Sequence, residues 1–450
     1  SDINFKEWQN YLNSNPKVSS NSNSSNSNWT YSGSDSSTGG NAGIGRLNCI
    51  AFHPTDTNVF FVGSAGGGLW KTSDAGITWN ALTDNLPVLG ISDIAIDHSN
   101  PNIIYIATGD ADGAITIGGG TFTVGVMKTT DGGITWNTTG LSSSPVSNEL
   151  ISRLLIDPNN SDILYAGTSV GIFKTINAGV TWTQYLVNNF VFDMEFKPNN
   201  SNHIYATVRD SLFNSKLYIS TNQGVNWTIG YHFSNVFRAK IAVSAYYNDW
   251  VDIITTNLNG GLEGLYYSSN NGLNLNKYLD PDINCSQNYL AREYNGGPPP
   301  CDGQGFYDLA FAINPYNYYE IWIGGINTWN SVDAGSTWTL NNFWLEGNYT
   351  DSTANGYNPD SIQVQHADKH FFAFHPITND LYECNDGGLY VTSDGGSSWN
   401  DLSNGLGIGQ IYRISTSATQ SDNVICGLQD NGTKELSSGN WADRSGGDGM

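Results

Sequence analysis

The sequence predicts an all-β protein, a propeller of seven to eight four-stranded blades. Three observations carry that reading: a short turn signature that recurs seven times, a pair of apolar runs ahead of each copy, and a glycine- and aromatic-rich composition.

The signature is clearest in Thr72-Ser73-Asp74-Ala75-Gly76-Ile77-Thr78-Trp79. Its acid or amide position returns as Asp131, Asn177, Asn222, Asn270, Asp333 and Asp394, with glycine two residues on in every copy. Five residues on stands Trp79, Trp136, Trp182, Trp227, Trp338 or Trp399, with Leu275 in their place in the fifth copy. The copies lie about 45 to 63 residues apart, the period of propeller blades. Asp or Asn accepts hydrogen bonds from backbone N–H groups further along and closes a tight hairpin. Glycine supplies the positive φ such a hairpin requires. The indole then buries a large apolar surface in the seam between neighbouring blades. On this reading Asp74, Asp131, Asn177, Asn222, Asn270, Asp333 and Asp394 are structural residues and not catalytic acids.

Ahead of the first turn, Leu47 to Phe52, Asn58 to Val62 and Gly67 to Lys71 read as strands bounded by turn residues. Counterparts of the first run are Ile91 to Ile96, Ile151 to Ile156, Val191 to Phe196, Phe306 to Ile313 and His370 to Phe374. Their near-continuous apolarity is that of strands buried on both faces beside a propeller axis. An eighth unit begins at Ile411 to Ser415, continues through Val424 to Leu428 and ends at Trp441 without the turn.

The composition agrees. Charged residues make up 13% of the chain, about half the usual share, while there are 51 Gly, 24 Tyr and 14 Trp against 3 Met. Short strands and many turns give that profile, and long helices do not. The formal charge of −23 repels nucleic acid and anionic lipid. No run approaches the ~20 apolar residues of a membrane span, so membrane insertion is not expected. Extracellular protein or glycan remains as the partner, and the acidic, Asn/Ser-rich, Lys-poor composition suits a secreted or cell-surface protein.

Residues 1–42 read as a tail, with a short amphipathic helix over Asp2 to Leu12 and a Ser/Asn/Gly-rich linker over Val18 to Gly40. The propeller spans 43–445, and 446–450 opens a further repeat. Long excursions at Asp280 to Gly305 and Asn341 to Gln365 are expected on one face, where such insertions build binding surfaces. Cys285 and Cys301 flank the first excursion, and a disulfide there would close a loop with little core of its own. Cys49, Cys384 and Cys426 sit in apolar runs as buried thiols.

Two groups of residues are the candidate sites. Asp93, Arg153, Asp193, Arg238, Asp308 and Arg413 fall at comparable places in the inner runs. They are expected at the mouth of the axial channel, where they either neutralise one another or bind a ligand. His366-x-Asp368-x-His370 has the period of a strand, which puts three metal-capable side chains on one face. The outer two would stand about 13 Å apart, so only adjacent members could share one divalent cation. Asp110-Ala111-Asp112-Gly113 has the flavour of a calcium loop without its remaining ligands.

In these turns, and in phrases such as Gly43-Ile44-Gly45-Arg46-Leu47-Asn48, Gly303-Gln304-Gly305-Phe306-Tyr307-Asp308-Leu309, His366-Ala367-Asp368-Lys369-His370, Leu428-Gln429-Asp430-Asn431-Gly432-Thr433 and Gly446-Gly447-Asp448-Gly449-Met450, the sequence resembles the Asp-box (BNR, sortilin-like) propellers. It looks closest to the secreted bacterial proteins of the type IX secretion route, and more distantly like xyloglucanases and sialidases. The resemblance covers about residues 43 to 450 and implies that Met450 is a truncation point within a larger surface protein. A sialidase would surround a carboxylate with arginines behind an Arg-Ile-Pro motif. That motif is absent, and only seven arginines exist. A xyloglucanase would carry an aspartate just ahead of a Gly-Gly-aromatic run in the first blade, where this chain has Ala65 before Gly66-Gly67-Gly68-Leu69-Trp70. The expectation is therefore a non-enzymatic propeller that binds protein or glycan through one face. A glycoside hydrolase or lyase acting on extracellular polysaccharide is the alternative.

Overall fold

The computed structural model describes residues 33–37, 42–116, 120–212, 214–281, 285–291, 300–344, 362–420 and 423–449. The helix expected over Asp2 to Leu12 lies outside them, as do most of the linker and parts of both excursions.

Eight antiparallel sheets follow one another along the chain, each a meander in sequence order. The first is Leu47–Phe52, Phe60–Ser64, Leu69–Thr72 and Asn80–Ala81. Its successors begin with the strands Ile91–Ile96, Ile151–Ile156, Asn189–Lys197, Val236–Val243, Ala310–Asn314, Lys369–Phe374 and Ile411–Thr416. The sixth sheet gains a fifth strand, Gln363–Val364, parallel to Thr339–Phe343. The first strands of sheets 1 to 7 pack side by side in chain order, and Lys369–Phe374 of sheet 7 packs on Leu47–Phe52 of sheet 1.

The apolar residues explain that cycle. Seven core clusters occur among the described residues, and each is shared by two successive sheets. Ile44, Leu47, Phe60 and Trp79 of sheet 1 share theirs with Tyr382, Cys384 and Leu389 of sheet 7. A sheet buried on both faces needs two such seams, which is why its first and second strands read as unbroken apolar runs. Sheet 8 is different. All six residues of its first strand are exposed, Ile411 and Ile414 included.

Each repeated turn is built alike. In the first, Thr72 Oγ1 donates to Asp74 Oδ1 and accepts from Gly76 N at 2.9 Å. Asp74 Oδ1 accepts from Thr78 N at 2.8 Å, and Oδ2 from the Thr78 hydroxyl at 2.7 Å. The backbone takes positive φ twice in succession, 59° at Ala75 and 89° at Gly76. The glycine was legible in the sequence. The residue before it was not, since Ala, Gln, Asn or Gly occupies that left-handed position.

Several strands shift by one or two residues from their expected bounds, and the run from Phe306 shifts most. Gly305 to Tyr307 is a turn and strand begins at Ala310, because Tyr307 N and Asp308 N both donate to the Gln304 carbonyl. That bend carries Tyr307 and Asp308 away from the sheet and towards the axis. Cys285 and Cys301 are disulfide-bonded with Cα atoms 5.2 Å apart, and the other three cysteines are buried thiols.

Candidate functional site

In a meander, turns after the first and third strands lie at one end of the sheet and those after the second and fourth at the other. The repeated Asp/Asn–Gly turns therefore share one end of the molecule. The described residues of the first excursion, the helix Ala111–Thr116 and the turns at Asp386 and Asp430 share the opposite end.

Side chains reach the axis through a recurring irregularity. The register slips by one residue between Ile91 and Asp93, Val191 and Asp193, Val236 and Arg238, and Lys369 and Phe371. A bulge of this kind re-aims the side chains beside it. Asp93 and Asp193 use it to tie blades together. Asp93 Oδ2 accepts from Leu154 N of the next sheet at 2.7 Å, and Asp193 Oδ2 accepts from Ile241 N of the next at 2.9 Å. Arg153 lies between them, 3.3 Å from Asp93 and 3.4 Å from Asp193, and also pairs with Glu195. Arg238 donates to Asp112 at 2.6 Å and to the Tyr307 carbonyl at 2.9 Å. The helix that carries Asp112 thus lies over the channel, leaving about 40 Å³ at the axis, room for a few waters. At the end that holds the repeated turns the channel opens to about 330 Å³, lined by Arg153, Asp193, Glu195, Lys240 and Phe371 among others.

Asp93, Arg153, Asp193 and Arg238 are thus brought together, as ion-paired and backbone-bonded groups that fill the channel. Arg413 is not among them. It belongs to the exposed first strand of sheet 8, which stands outside the cycle of inner strands, so equivalence of sequence position did not place it at the axis.

Above this plug lies an acidic cluster. One carboxylate oxygen from each of Asp368, Asp386 and Asp430 falls within 4.8 Å of the other two. Asp308 is wholly buried and lies against Asp368, and neither of its oxygens meets a donor. Burial, then the neighbouring Asp368, pushes its carboxyl well above the usual range. Burial and Asp386 push Asp368 up to about 6 and Asp430 up to about 8. Asp386 goes the other way. Burial opposes its charge, but His370 and Arg46 hold it down at about 2. It accepts from His370 Nε2 at 2.8 Å and from the Tyr307 hydroxyl at 2.8 Å, and Arg46 in turn donates to that hydroxyl at 2.6 Å.

The two histidines do not face a shared ion. His370 contacts Asp386 through Nε2 and Asp112 through Nδ1 at 3.1 Å, so both ring nitrogens point at carboxylates. Although burial works against the charge, those carboxylates raise its pKa and favour an imidazolium, which has no lone pair for a metal. His366 Nε2 lies 2.9 Å from the Asp430 carbonyl and Nδ1 faces the Ala367 carbonyl. Of His366, Asp368 and His370, only Asp368 belongs to the group of three carboxylates whose oxygens lie within 4.8 Å of one another. Asp110 and Asp112, the suggested calcium loop, are instead partners of Arg46, Arg238 and His370.

Sequence reasoning missed Asp386 and Asp430. Both occupy Asp-rich glycine turns after the second strand of their sheets, Asn385-Asp386-Gly387 and Gln429-Asp430-Asn431-Gly432. The signal was present but differs from the seven-fold repeat that drew attention. Gly387 is required there by close approach, since a Cβ would sit 2.5 Å from the His366 ring.

A second feature lies at the end that carries the repeated turns, between sheets 5 and 6. Tyr246, Tyr316 and Tyr319 are 52%, 59% and 47% exposed. Tyr246 and Tyr319 border Tyr247, which stacks on Trp250 with centroids 4.9 Å apart, and both rings pack on Tyr318. The Tyr316 hydroxyl donates to the Pro376 carbonyl at 3.0 Å. The result is an aromatic terrace with hydroxyls at its rim.

No family model matches the chain. Among characterised proteins it is similar to the xyloglucanase Xgh74A of Acetivibrio thermocellus, 28% identical over 222 residues, which is 41% of this chain and 25% of that protein. It is similar also to a xyloglucanase of Hypocrea jecorina, 24% identical over 362 residues, 69% of this chain and 40% of that one. The chain thus spans a quarter to two-fifths of the length of these relatives. Its fold matches the crystal structure of the GH74 enzyme of Niastella koreensis with a TM-score of 0.60 at 18% identity, over 89% of this chain and 60% of that one. For the GH74 xyloglucanase of Xanthomonas campestris the score is 0.61 at 14% identity, over 88% and 59%. These likenesses establish a β-propeller. Among the described residues, no helix is long and apolar enough to cross a membrane.

Proposed function

We infer that the chain is a secreted or cell-surface propeller of the Asp-box type that binds extracellular glycan without cleaving it. Seven blades form its ring, and the sheet over 411–445 stands outside as a blade of a further unit. The observation that carries the binding reading is the aromatic terrace of Tyr246, Tyr247, Trp250 and Tyr319. Flat rings with an apolar face and a wet hydroxyl edge suit the C–H faces and hydroxyls of pyranose sugars, and an exposed apolar patch of this kind marks an interaction site. The plugged axis supports the same view, because the ion pairs there satisfy one another and leave about 40 Å³. Likeness to xyloglucanases makes xyloglucan the first ligand to try.

A glycosidase reading draws on one specific observation. The carboxyls of buried Asp386 and partly buried Asp430 are pushed to opposite sides of their usual range, the pattern that assigns acid and base roles in such enzymes. Incubating the chain with xyloglucan and other extracellular polysaccharides separates the two. Binding reads out by retarded migration in a polysaccharide gel, and hydrolysis by new reducing ends. Retardation that is lost in Tyr247→Ala and Trp250→Ala, with no reducing ends released, is the expected result. Reducing ends that disappear in Asp430→Asn would replace it with the glycosidase.

A further inference from the structure

We propose that Asp308, Asp368, Asp386 and Asp430 form an all-oxygen site for a single divalent cation of the calcium type. The three oxygens of Asp368, Asp386 and Asp430 lie within 4.8 Å of one another. Oxygen ligands around calcium stand about 2.3–2.6 Å from the ion, so two on opposite sides are separated by at most about 5 Å. The cluster has the size of one such shell.

Asp308 is the second observation. It is completely buried, neither of its oxygens meets an N–H or hydroxyl donor, and its side chain lies against that of Asp368. Two such carboxyls satisfy each other only while they share a proton, and a cation between them can replace that proton. The nearby donors are placed on groups other than Asp308. Lys369 Nζ donates to the Ile326 carbonyl at 3.0 Å and to the His366 carbonyl at 2.6 Å. Gln304 gives one hydrogen bond, 3.2 Å, to Asp368 Oδ1. His370 and Tyr307 serve Asp386, each of whose oxygens keeps a further lone pair.

Ligand chemistry selects the metal class. The histidine nitrogens face carboxylates and carbonyls, so zinc and copper would find no imidazole, whereas hard cations take carboxylate oxygen. The four ligands come from the turn ahead of sheet 6, from two connections of sheet 7 and from the second turn of sheet 8. Such an ion would tie sheet 8 to the ring. Asp430 is only partly buried and gives the ion its way in.

Calorimetric titration of the chelator-treated 450-residue chain with calcium chloride tests the proposal, alongside thermal unfolding with and without calcium. One ion per chain and a higher melting temperature in calcium are expected. Asp430→Asn and Asp368→Asn should each weaken calcium binding at least about tenfold, with circular dichroism reporting whether each variant is folded. Asp430→Asn, at the rim, guards against loss of fold in the buried variant. No binding at millimolar calcium by folded protein would overturn the proposal. So would calcium binding unchanged in both folded variants, or zinc binding tighter than calcium.

Discussion

Trp79 Nε1 donates to the Leu402 carbonyl at 3.0 Å and so joins the first sheet to the seventh across 323 residues of chain. The same bond recurs one seam on, where Trp136 Nε1 donates to the Leu82 carbonyl at 3.1 Å. In other copies the indole turns inward, and Trp182 and Trp227 donate to the glycine carbonyl of their own turns. The repeated tryptophan thus has two uses, and at the closing seam it reaches across.

The closing seam is therefore expected to be the sensitive one. Trp79→Ala removes a buried indole from a cluster that includes Phe60 and Tyr382, and should cost roughly 3–5 kcal/mol in chemical unfolding. Trp79→Phe keeps an aromatic ring and loses the bond to Leu402, for about 1 kcal/mol. Leu275, a smaller and only partly buried side chain, should tolerate alanine better. Equal losses at 79 and 275 would remove the special status of the seam.

The plug makes a second prediction. Asp112 accepts from Arg238 and faces His370, so Asp112→Ala leaves two cationic groups with a buried partner missing. Breaking a buried pair from one side typically costs about 3–5 kcal/mol. Asp112→Asn retains shape and one acceptor and should cost less. Unfolding curves for both variants supply the comparison, and no loss in Asp112→Ala would show that the helix over the channel is not held through this residue.

How much of this was legible follows from what each residue type encodes. The seven turns could be read because Asp/Asn, Gly and Trp stand at fixed offsets, and local chemistry dictates the hairpin. Asp93 and Asp193 could be placed near the axis because their strands are equivalent. Arg413 has the same offset in its strand, yet sheet 8 lacks the neighbours that make an axis. The acidic cluster was half hidden. Asp308 and Asp368 were singled out, but Asp386 and Asp430 come from turns 78 and 122 residues beyond Asp308, and only the tertiary packing of the connections of sheets 6, 7 and 8 brings them together.

The first excursion carries its own anchor. Asn288 donates through Nδ2 to the carbonyls of Pro300 and Asp302, and its Oδ1 accepts from Leu262 N at 2.7 Å. The side chain thus fastens both ends of the Cys285–Cys301 loop to sheet 5. Reduction of the disulfide should destabilise by roughly 3 kcal/mol at most, the loop-closure value for a span of this length. With Asn288→Ala the reduced loop should become a site of proteolytic nicking, while the reduced parent stays resistant. Equal nicking of both would show that the disulfide alone holds the loop.

Asp252 sets the pH dependence expected beneath the aromatic terrace. It is fully buried, and Tyr318 donates to its Oδ1 at 3.2 Å. Burial pushes its pKa up to about 8, against an ordinary value near 3.9. Between about pH 4 and pH 8 the folded chain therefore keeps a proton that the unfolded chain has released. Stability must then fall as pH rises through that window, by an amount on the order of a few kcal/mol, and the effect is fully developed above pH 8. Asp252→Asn has the same shape, cannot ionise, and should lose this component. If the amide fits as well as the protonated acid, the two are equal near pH 4 and the variant's lead grows up to about pH 8; if it fits less well, the parent leads near pH 4 and that lead shrinks with pH. In either case the parent-minus-variant difference must decline steadily from pH 4 to pH 8 in chemical unfolding. A difference that stays flat across the window would show that Asp252 is ionised in the folded chain, with its charge met by groups other than Tyr318.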